Sequence, residues 1–407
     1  MFVRSRWTVA PALLATMAAC SSPPAEPAPR EYLYLWTAAA DTLAPDFLAV
    51  LDVTEAPDRY GELVATVPVP GRFNVPHHTE HELAADRRLF ANGFGTGRSF
   101  IFDLTTPAQP RLAHAFGDLA GYSHPHSFLR LPDGAVLATF QMTHTDAGVR
   151  TGGLVEIAPD GSVRRSASAD RPGLDPGTRV YSAAVVPSLD RIVTTTTDMA
   201  DDSPASNQLQ IWGLSDLALQ HTIRLPPGPR GDEGLLTAEP RVLADGRTVL
   251  VSTFNCGLYL LDDLGGPAPT GRLVASFPMK PQTNCAIPVV AGPYYLITVP
   301  AWSAVVSLDV SDPAHPREVG RATLGPDDVP HWIAIAPDHR RVVVTGYGAM
   351  LHRVVLLQFD PQTGALAVDP RFREPGATTP GYVMQGKRWF HGDSADGIPH
   401  GAVFSRP

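Results

Sequence analysis

The sequence predicts an all-β chain folded as a seven-bladed β-propeller of four-stranded blades, and three observations carry that prediction. First, short apolar strands ending at or near an Asp recur as Phe47–Asp52, Ser99–Asp103, Gly153–Ala158, Leu209–Gly213, Gly257–Asp262, Ala304–Asp309 and Val354–Asp360. Their last residues stand 47–55 residues apart, a period that marks a propeller and that a two-sheet sandwich has no need of. Second, 41 Pro and 35 Gly in 407 residues, with 44% hydrophobic and 18% charged residues, describe a chain broken by turns yet apolar enough to pack. Third, the two ends are complementary. Tyr32–Trp36 reads as a second strand with no first strand before it, and Pro399–Phe404 as a first strand with nothing after it. Joined, they form one blade and cover two sheet edges that would otherwise invite aggregation.

Residues 1–20 begin with Arg4 and Arg6, run through the apolar stretch Trp7–Met17, and reach Met17-Ala18-Ala19-Cys20. The apolar segment falls short of the roughly 20 residues that span a bilayer, so it reads as a lipoprotein-type signal peptide with Cys20 as the lipidated residue. Residues 21–31 form a Pro-rich tether, and residues 32–407 the propeller domain. The expected location is the periplasm or the cell surface, with membrane contact only through the lipid anchor. Lys plus Arg number 32 against 41 Asp plus Glu, a net charge of −9 with no basic block, which excludes an electrostatic grip on nucleic acid. Three cysteines exclude a fold built on disulfides.

Within each unit an apolar strand, a turn and a strand dense in β-branched residues precede the Asp-ending strand. His126–Leu131, Pro132-Asp133-Gly134 and Ala135–Phe140 form one such set, and His331–Ala336, Pro337-Asp338 and Arg341–Thr345 another. Between the third and fourth strands, Asp103-Leu-Thr-Thr-Pro107-Ala-Gln-Pro110-Arg111 matches Asp309-Val-Ser-Asp-Pro313-Ala-His-Pro316-Arg317 in Asp, Pro, Ala and Arg at the same offsets.

This register identifies equivalent positions. At the start of the innermost strands of blades two to seven and then one stand His77, His126, Tyr181, Glu239, Cys285, His331 and His400. The four His each follow a Pro (Pro76, Pro125, Pro330, Pro399), whereas 14 His in 407 residues would place about a quarter of one histidine on seven positions by chance. Blades seven, one, two and three are consecutive around the ring, so the four imidazoles line one side of the channel and face Tyr181, Glu239 and Cys285. Imidazole-rich sites suit copper, and after it zinc or iron, rather than calcium or magnesium. The blade-two segment His77-His78-Thr79-Glu80-His81 is about two residues longer than its counterparts, which leaves His77 and His78 as alternative ligands. Glu80, His81 and His124 are placed to orient the ligands from behind, and His391, in the loop before the closing strand, is within reach. The remaining histidines fall on outer strands or turns, where a solvated role is expected.

Gly93-Phe-Gly95-Thr-Gly97 is a turn rather than a phosphate loop, because no helix follows it. Cys256 ends a second strand and Cys285 starts the first strand of the next blade. A structural disulfide, two free thiols, and a thiolate ligand or nucleophile at Cys285 are the alternatives.

Ala44-Pro-Asp-Phe-Leu-Ala-Val-Leu-Asp-Val53, Pro76-His-His-Thr-Glu-His-Glu82, Leu89-Phe-Ala-Asn-Gly-Phe94, Ser99-Phe-Ile-Phe-Asp-Leu104 and Ser123-His-Pro-His-Ser-Phe128 resemble the selenium-binding protein and methanethiol oxidase family. The resemblance is dense over residues 32–145 and extends through Val329-Pro-His-Trp332 and Ile398-Pro-His-Gly401. It implies a propeller that holds copper through His77 or His78, His126, His331 and His400. It also implies oxidation of methanethiol by oxygen and water to formaldehyde, hydrogen sulfide and hydrogen peroxide. In that reading Tyr181 and Glu239 move protons, and the partners are a small thiol and O2. The other reading is a non-enzymatic propeller lipoprotein that binds metal or selenium species or serves as an interaction scaffold.

Overall fold

The computed structural model describes Met1 and residues 30–406 apart from 146–147, 200–203, 281–282, 286 and 347–350. The signal peptide, Cys20 and most of the tether lie outside the described residues. Seven antiparallel sheets follow one another around a ring, each with a four-strand path, and two of them carry one further short strand. The Asp-ending strands are the third strands, observed at Phe47–Asp52, Arg98–Asp103, Gly153–Ile157, Gln208–Gly213, Gly257–Asp262, Ala304–Asp309 and Arg353–Phe359, each within one residue of the predicted bounds. Among the described residues no helix is long and apolar enough to cross a membrane.

The recurring Asp explains the period in physical terms. Asp103 accepts hydrogen bonds from the Thr105 N–H (3.0 Å) and hydroxyl (2.7 Å) and from Arg111 Nε (3.0 Å). Asp309 repeats this with the Ser311 N–H (3.0 Å) and Arg317 (2.8 Å). Each carboxylate turns the chain out of strand three and ties the turn to the first residue of strand four, an Asx turn closed by an arginine. These bonds hold both carboxyl groups down at about 2.

The ring closes as the ends predict. Gly397–Phe404 pairs antiparallel with Tyr32–Ala39, from Leu33 opposite Phe404 to Ala39 opposite Gly397, so the first blade draws its innermost strand from the far end of the chain. The cores lie between neighbouring sheets: Trp36 of blade one packs its ring against Phe100 (5.4 Å) and Phe102 (5.6 Å) of blade two. Residues 369–396 form an excursion before the closing strand and bury Phe372, Tyr382, Met384 and Trp389 in the core beneath it. His391 belongs to this excursion and bonds Thr66 Oγ1 (2.8 Å) beside Phe47, so it braces blade one rather than reaching the channel.

The turn Phe94–Thr96, closed by Gly97 at φ +62°, confirms that the glycine run is a strand connection. Cys256 and Cys285 form a disulfide between blades five and six, which removes Cys285 as a ligand or nucleophile. Two inner strands start later than the register suggests. The strand of blade four spans Ala183–Val186 and that of blade six Val289–Ala291, so Tyr181 and Cys285 precede them. Tyr181 still donates its N–H to Thr195 O (2.9 Å), whereas Cys285 bonds Phe254 O (3.1 Å) in the neighbouring blade.

Candidate metal centre

Each innermost strand is an edge strand facing the channel, which tolerates Pro because no partner needs its N–H. After each Pro comes a break in register. In blade two, Pro76 lies opposite Gly93 and Thr79 opposite Ala91, so His77 and His78 share the space of one residue. Blade three breaks between Pro125 and Phe128, at His126. Blade seven breaks between Pro330 and Trp332, at His331, and the closing strand between Thr37 and Leu35, opposite His400. Blade five breaks between Thr237 and Pro240, at Glu239. Such bulges re-aim a side chain. Here they turn both His77 and His78 inward, where the sequence left them as alternatives.

The five imidazoles form one group, with His77, His78, His126 and His400 buried and His331 partly buried at its edge. His77 stacks on His78 with ring centres 4.3 Å apart, His126 lies 4.3 Å from His78 and 4.8 Å from His77, and His400 lies 4.3 Å from His77 and 4.7 Å from His331. His77, His78 and His126 present ring nitrogens that all fall within 4.8 Å of one another. Tyr181 and Glu239, expected across the channel, touch this group directly. The Tyr181 hydroxyl is 3.2 Å from His78 Nε2 and its ring 4.0 Å from that of His126, while Glu239 Oε1 is 3.9 Å from His78 Nδ1. Ring order fixes the angle of each residue about the axis but not its depth, and these side chains reach inward across it.

The three residues expected behind the ligands divide. His81 does stand there: it lies flat on Trp332 (4.4 Å), whose ring edges His78 (5.0 Å), and its Nε2 is 2.8 Å from Arg241. Glu80 is instead taken up by Arg130 (2.6 Å) and the Phe90 N–H (2.9 Å). His124 meets Phe94 edge-on (5.7 Å), and Phe94 in turn edges His126 (6.1 Å).

Residues that carried no signal in the sequence hold the group in place. Asn92 accepts from the His78 N–H (2.5 Å) and donates to Pro125 O (3.1 Å), so one amide fixes the backbone of both His78 and His126. Thr139 accepts from the Ser127 N–H (2.9 Å) and donates to Tyr181 O (2.7 Å). Thr195 donates to Ala238 O (2.6 Å), and Thr345 to His400 O (2.6 Å). Each is a small polar residue of a second strand, bonded across the seam to the next blade at a site residue or the residue before it. Gly401 is required by the same crowding, since a Cβ there would stand 2.8 Å from Thr79 N. Asn92→Ala leaves a buried N–H and a buried carbonyl unpaired and is expected to cost about 2 kcal/mol in urea unfolding.

Burial, followed by the neighbouring imidazoles, drives His77, His78 and His400 well below the usual histidine range. Burial takes His126 down to about 3 and His331 to about 4. Tyr181 is pushed well up, first by burial and then by Glu239, and stays a phenol. The cluster is therefore a set of neutral imidazoles, the form in which histidine binds a metal. Converging neutral nitrogen donors fit a transition metal, and His77, His78 and His126 are the residues that would hold it, with His400 and His331 adjoining. Glu239 is fixed by Ser182 (2.7 Å) and Arg241 (2.6 Å), and His78, Ser127, Ser182 and Glu239 form the inner end of a cavity of about 570 Å3 along the axis.

No family model matches the chain. It is 26% identical over 337 residues to a methanethiol oxidase of Hyphomicrobium sp., covering 77% of this chain and 75% of that protein. Among solved structures it is similar to a hypothetical selenium-binding protein from Sulfolobus tokodaii, with TM-score 0.73, 18% identity, and 93% and 94% of the two chains covered. It also resembles the periplasmic gluconolactonase of Pseudomonas aeruginosa, with TM-score 0.61 and 14% identity over 93% and 99% of the chains. The structures carry the fold alone, whereas the curated relative shares sequence across most of the propeller. The sequence match to a methanethiol oxidase and the fold shared with a selenium-binding protein support the selenium-binding protein and methanethiol oxidase family as the one this chain resembles.

Proposed function

We propose that this chain is an exported copper-dependent oxidase that converts a small thiol, with O2 and water, to an aldehyde, hydrogen sulfide and hydrogen peroxide. The observation that carries the proposal is the convergence of five neutral imidazoles, four of them buried, with Tyr181 and Glu239, a group of which His78 and Glu239 line the inner end of the axial cavity. The methanethiol oxidase relative supports the reaction class. Atoms balance when one primary thiol, one dioxygen and one water give one aldehyde, one hydrogen sulfide and one hydrogen peroxide. The thiol-bearing carbon is oxidised, its C–S bond breaks, and dioxygen is reduced by two electrons.

Copper, held by His77, His78 and His126, would supply a thiol-binding Lewis acid and a redox couple. The protein's own groups would handle protons. Glu239 Oε1 has no hydrogen-bond partner among the described residues and faces His78 Nδ1, so it is the atom placed to take the thiol proton. Ser182 and Arg241 hold the other oxygen and fix the carboxylate's orientation. Tyr181, kept as a phenol, can deliver a proton to the reduced oxygen product. The pattern Met17-Ala-Ala-Cys20 supports a lipid-anchored location outside the cytoplasm.

The test is metal analysis of the exported protein together with methanethiol-dependent oxygen uptake and peroxide release. Tightly held copper without oxygen uptake would favour the binding-scaffold reading. Glu239→Gln is expected to retain copper and lower kcat about 100-fold, the usual weight of one positioned base. Unchanged turnover in that variant would remove Glu239 from the reaction.

A further inference from the structure

The axial cavity has a composition that methanethiol does not explain. From the site residues it follows the inner strands outward, past Ala184 and Val185 of blade four, Val242 and Leu243 of blade five, Val290 of blade six and Ile335 of blade seven. These lie at or near the ends of their strands, so the cavity opens on the face of the ring opposite the Pro-His bulges. Its volume of about 570 Å3 is in the ~300–1,000 Å3 range of sites that enclose whole ligands. Methanethiol has two heavy atoms and needs about twice a water molecule's ~30 Å3 share, close to a tenth of that space.

Apart from the exposed Glu82, the charged residues that share the lining are engaged with one another. Arg130 is held by Glu80, and Arg241 by Glu239 and His81. No unpaired cation therefore faces the cavity among these groups to bind a carboxylate or phosphate. A channel that served only as a water path would be lined by polar side chains. Here an apolar strip from blades four to seven, faced by the paired Glu80 and Arg130, leads to His78 and Glu239, which matches a ligand with one polar head and an apolar tail.

We propose that the cavity selects primary thiols carrying an extended apolar chain, the sulfur at the His78–Glu239 end and the chain against Ala184, Val242, Val290 and Ile335. The proposal rests on the oxidase reading for its chemistry, which is the balanced reaction written above with a longer alkyl chain on the thiol-bearing carbon. Burying each added methylene contributes ~0.8 kcal/mol, equivalent to about a fourfold rise in kcat/KM.

The test compares methanethiol, butanethiol and hexanethiol as substrates of the copper-loaded protein, and measures binding of 1-hexanol to the same protein by calorimetry. The expected results are a kcat/KM that climbs with chain length and hexanol binding that saturates. In Val290→Phe, which fills the channel, the hexanethiol-to-methanethiol ratio of kcat/KM should fall at least tenfold and hexanol binding should weaken in step. Val290→Ala, which folds without added bulk, should keep the wild-type order of preference. Methanethiol turnover with hexanethiol slower than methanethiol would overturn the channel assignment and leave the oxidase reading standing. No turnover of any thiol would sink the oxidase reading, and the hexanol titration would still decide the cavity: binding lost in Val290→Phe supports it, and absence of binding in the wild type overturns it.

Discussion

Replacing His77 and His126 together by Ala is expected to abolish metal retention, from about one ion per chain to a level set by the buffer, and to lower thiol oxidation at least a thousandfold. Two of the three nitrogens that come within 4.8 Å of one another are lost, leaving His78 as the sole member of that set. Structural zinc sites, for comparison, draw ~10–16 kcal/mol from their full ligand set. A thousandfold rate loss corresponds to only ~4 kcal/mol of transition-state stabilisation, so the rate should fall with the metal. The fold should survive. Both rings sit on innermost edge strands that face the channel, outside the apolar clusters between the sheets, and the space they leave is polar enough to hydrate. Metal analysis by mass spectrometry, with circular dichroism on the same sample, makes the comparison. Stoichiometric metal in the double variant would move the centre toward the His331–His400 pair, whose rings lie 4.7 Å apart.

Much of this architecture is legible in the sequence because one local device repeats it. Each third strand announces itself as a short apolar run with an Asp at or near its end, and the Asx turn repeats at Asp52, Asp103 and Asp309, signals that survive without homologues. Closure is equally local, since Tyr32–Ala39 and Gly397–Phe404 are each half of a pairing that the other completes. Pro followed by His in the innermost strands points to the site, but the number of imidazoles that enter it depends on bulges. A bulge shifts the register by one residue and reverses which side chains face the axis, and nothing in the hydrophobic pattern of Pro76-His77-His78-Thr79 encodes it. Glu80 illustrates the converse. Its place in the histidine run suggests a role behind the ligands, yet Arg130, fifty residues away in the next blade, captures it. Asn92, Thr139, Thr195 and Thr345 were invisible singly, because a small polar residue in a strand has no distinctive pattern. Superposing the second strands by blade shows them as a column of seam-bonding residues, a signal available once the period is known.

Acid should destabilise the metal-free protein well above the pH at which its carboxylates protonate. His126 is held at about 3 in the folded chain against about 6.5 when unfolded, so between those values the unfolded state binds a proton that the folded state does not. Stability therefore rises with pH through this window. The contribution is complete above 6.5 and is lost as pH falls toward 3. At pH 4.5 the two units below 6.5 correspond to about 3 kcal/mol from His126 alone. His77, His78 and His400 are depressed by the same burial, so their losses run in the same direction. The carboxylates act in a separate window: Asp103 and Asp309, at about 2 in the folded chain, contribute above the unfolded value of ~3.9 and are lost only below it. Urea unfolding of the metal-free protein between pH 7 and 4.5 should show net uptake of several protons on unfolding. In His126→Gln that number should fall by about one and roughly 3 kcal/mol of the acid loss should disappear. An unchanged proton count in the variant would mean that His126 titrates freely in the folded chain, and that the cluster is open to water rather than the dry set of donors a metal requires. Metal adds to the same linkage, because it binds the imidazole lone pairs that protons compete for. Loading should therefore steepen the acid transition and move it to lower pH in wild type but not in the His77→Ala/His126→Ala variant, which separates ligation from burial using one titration on two proteins.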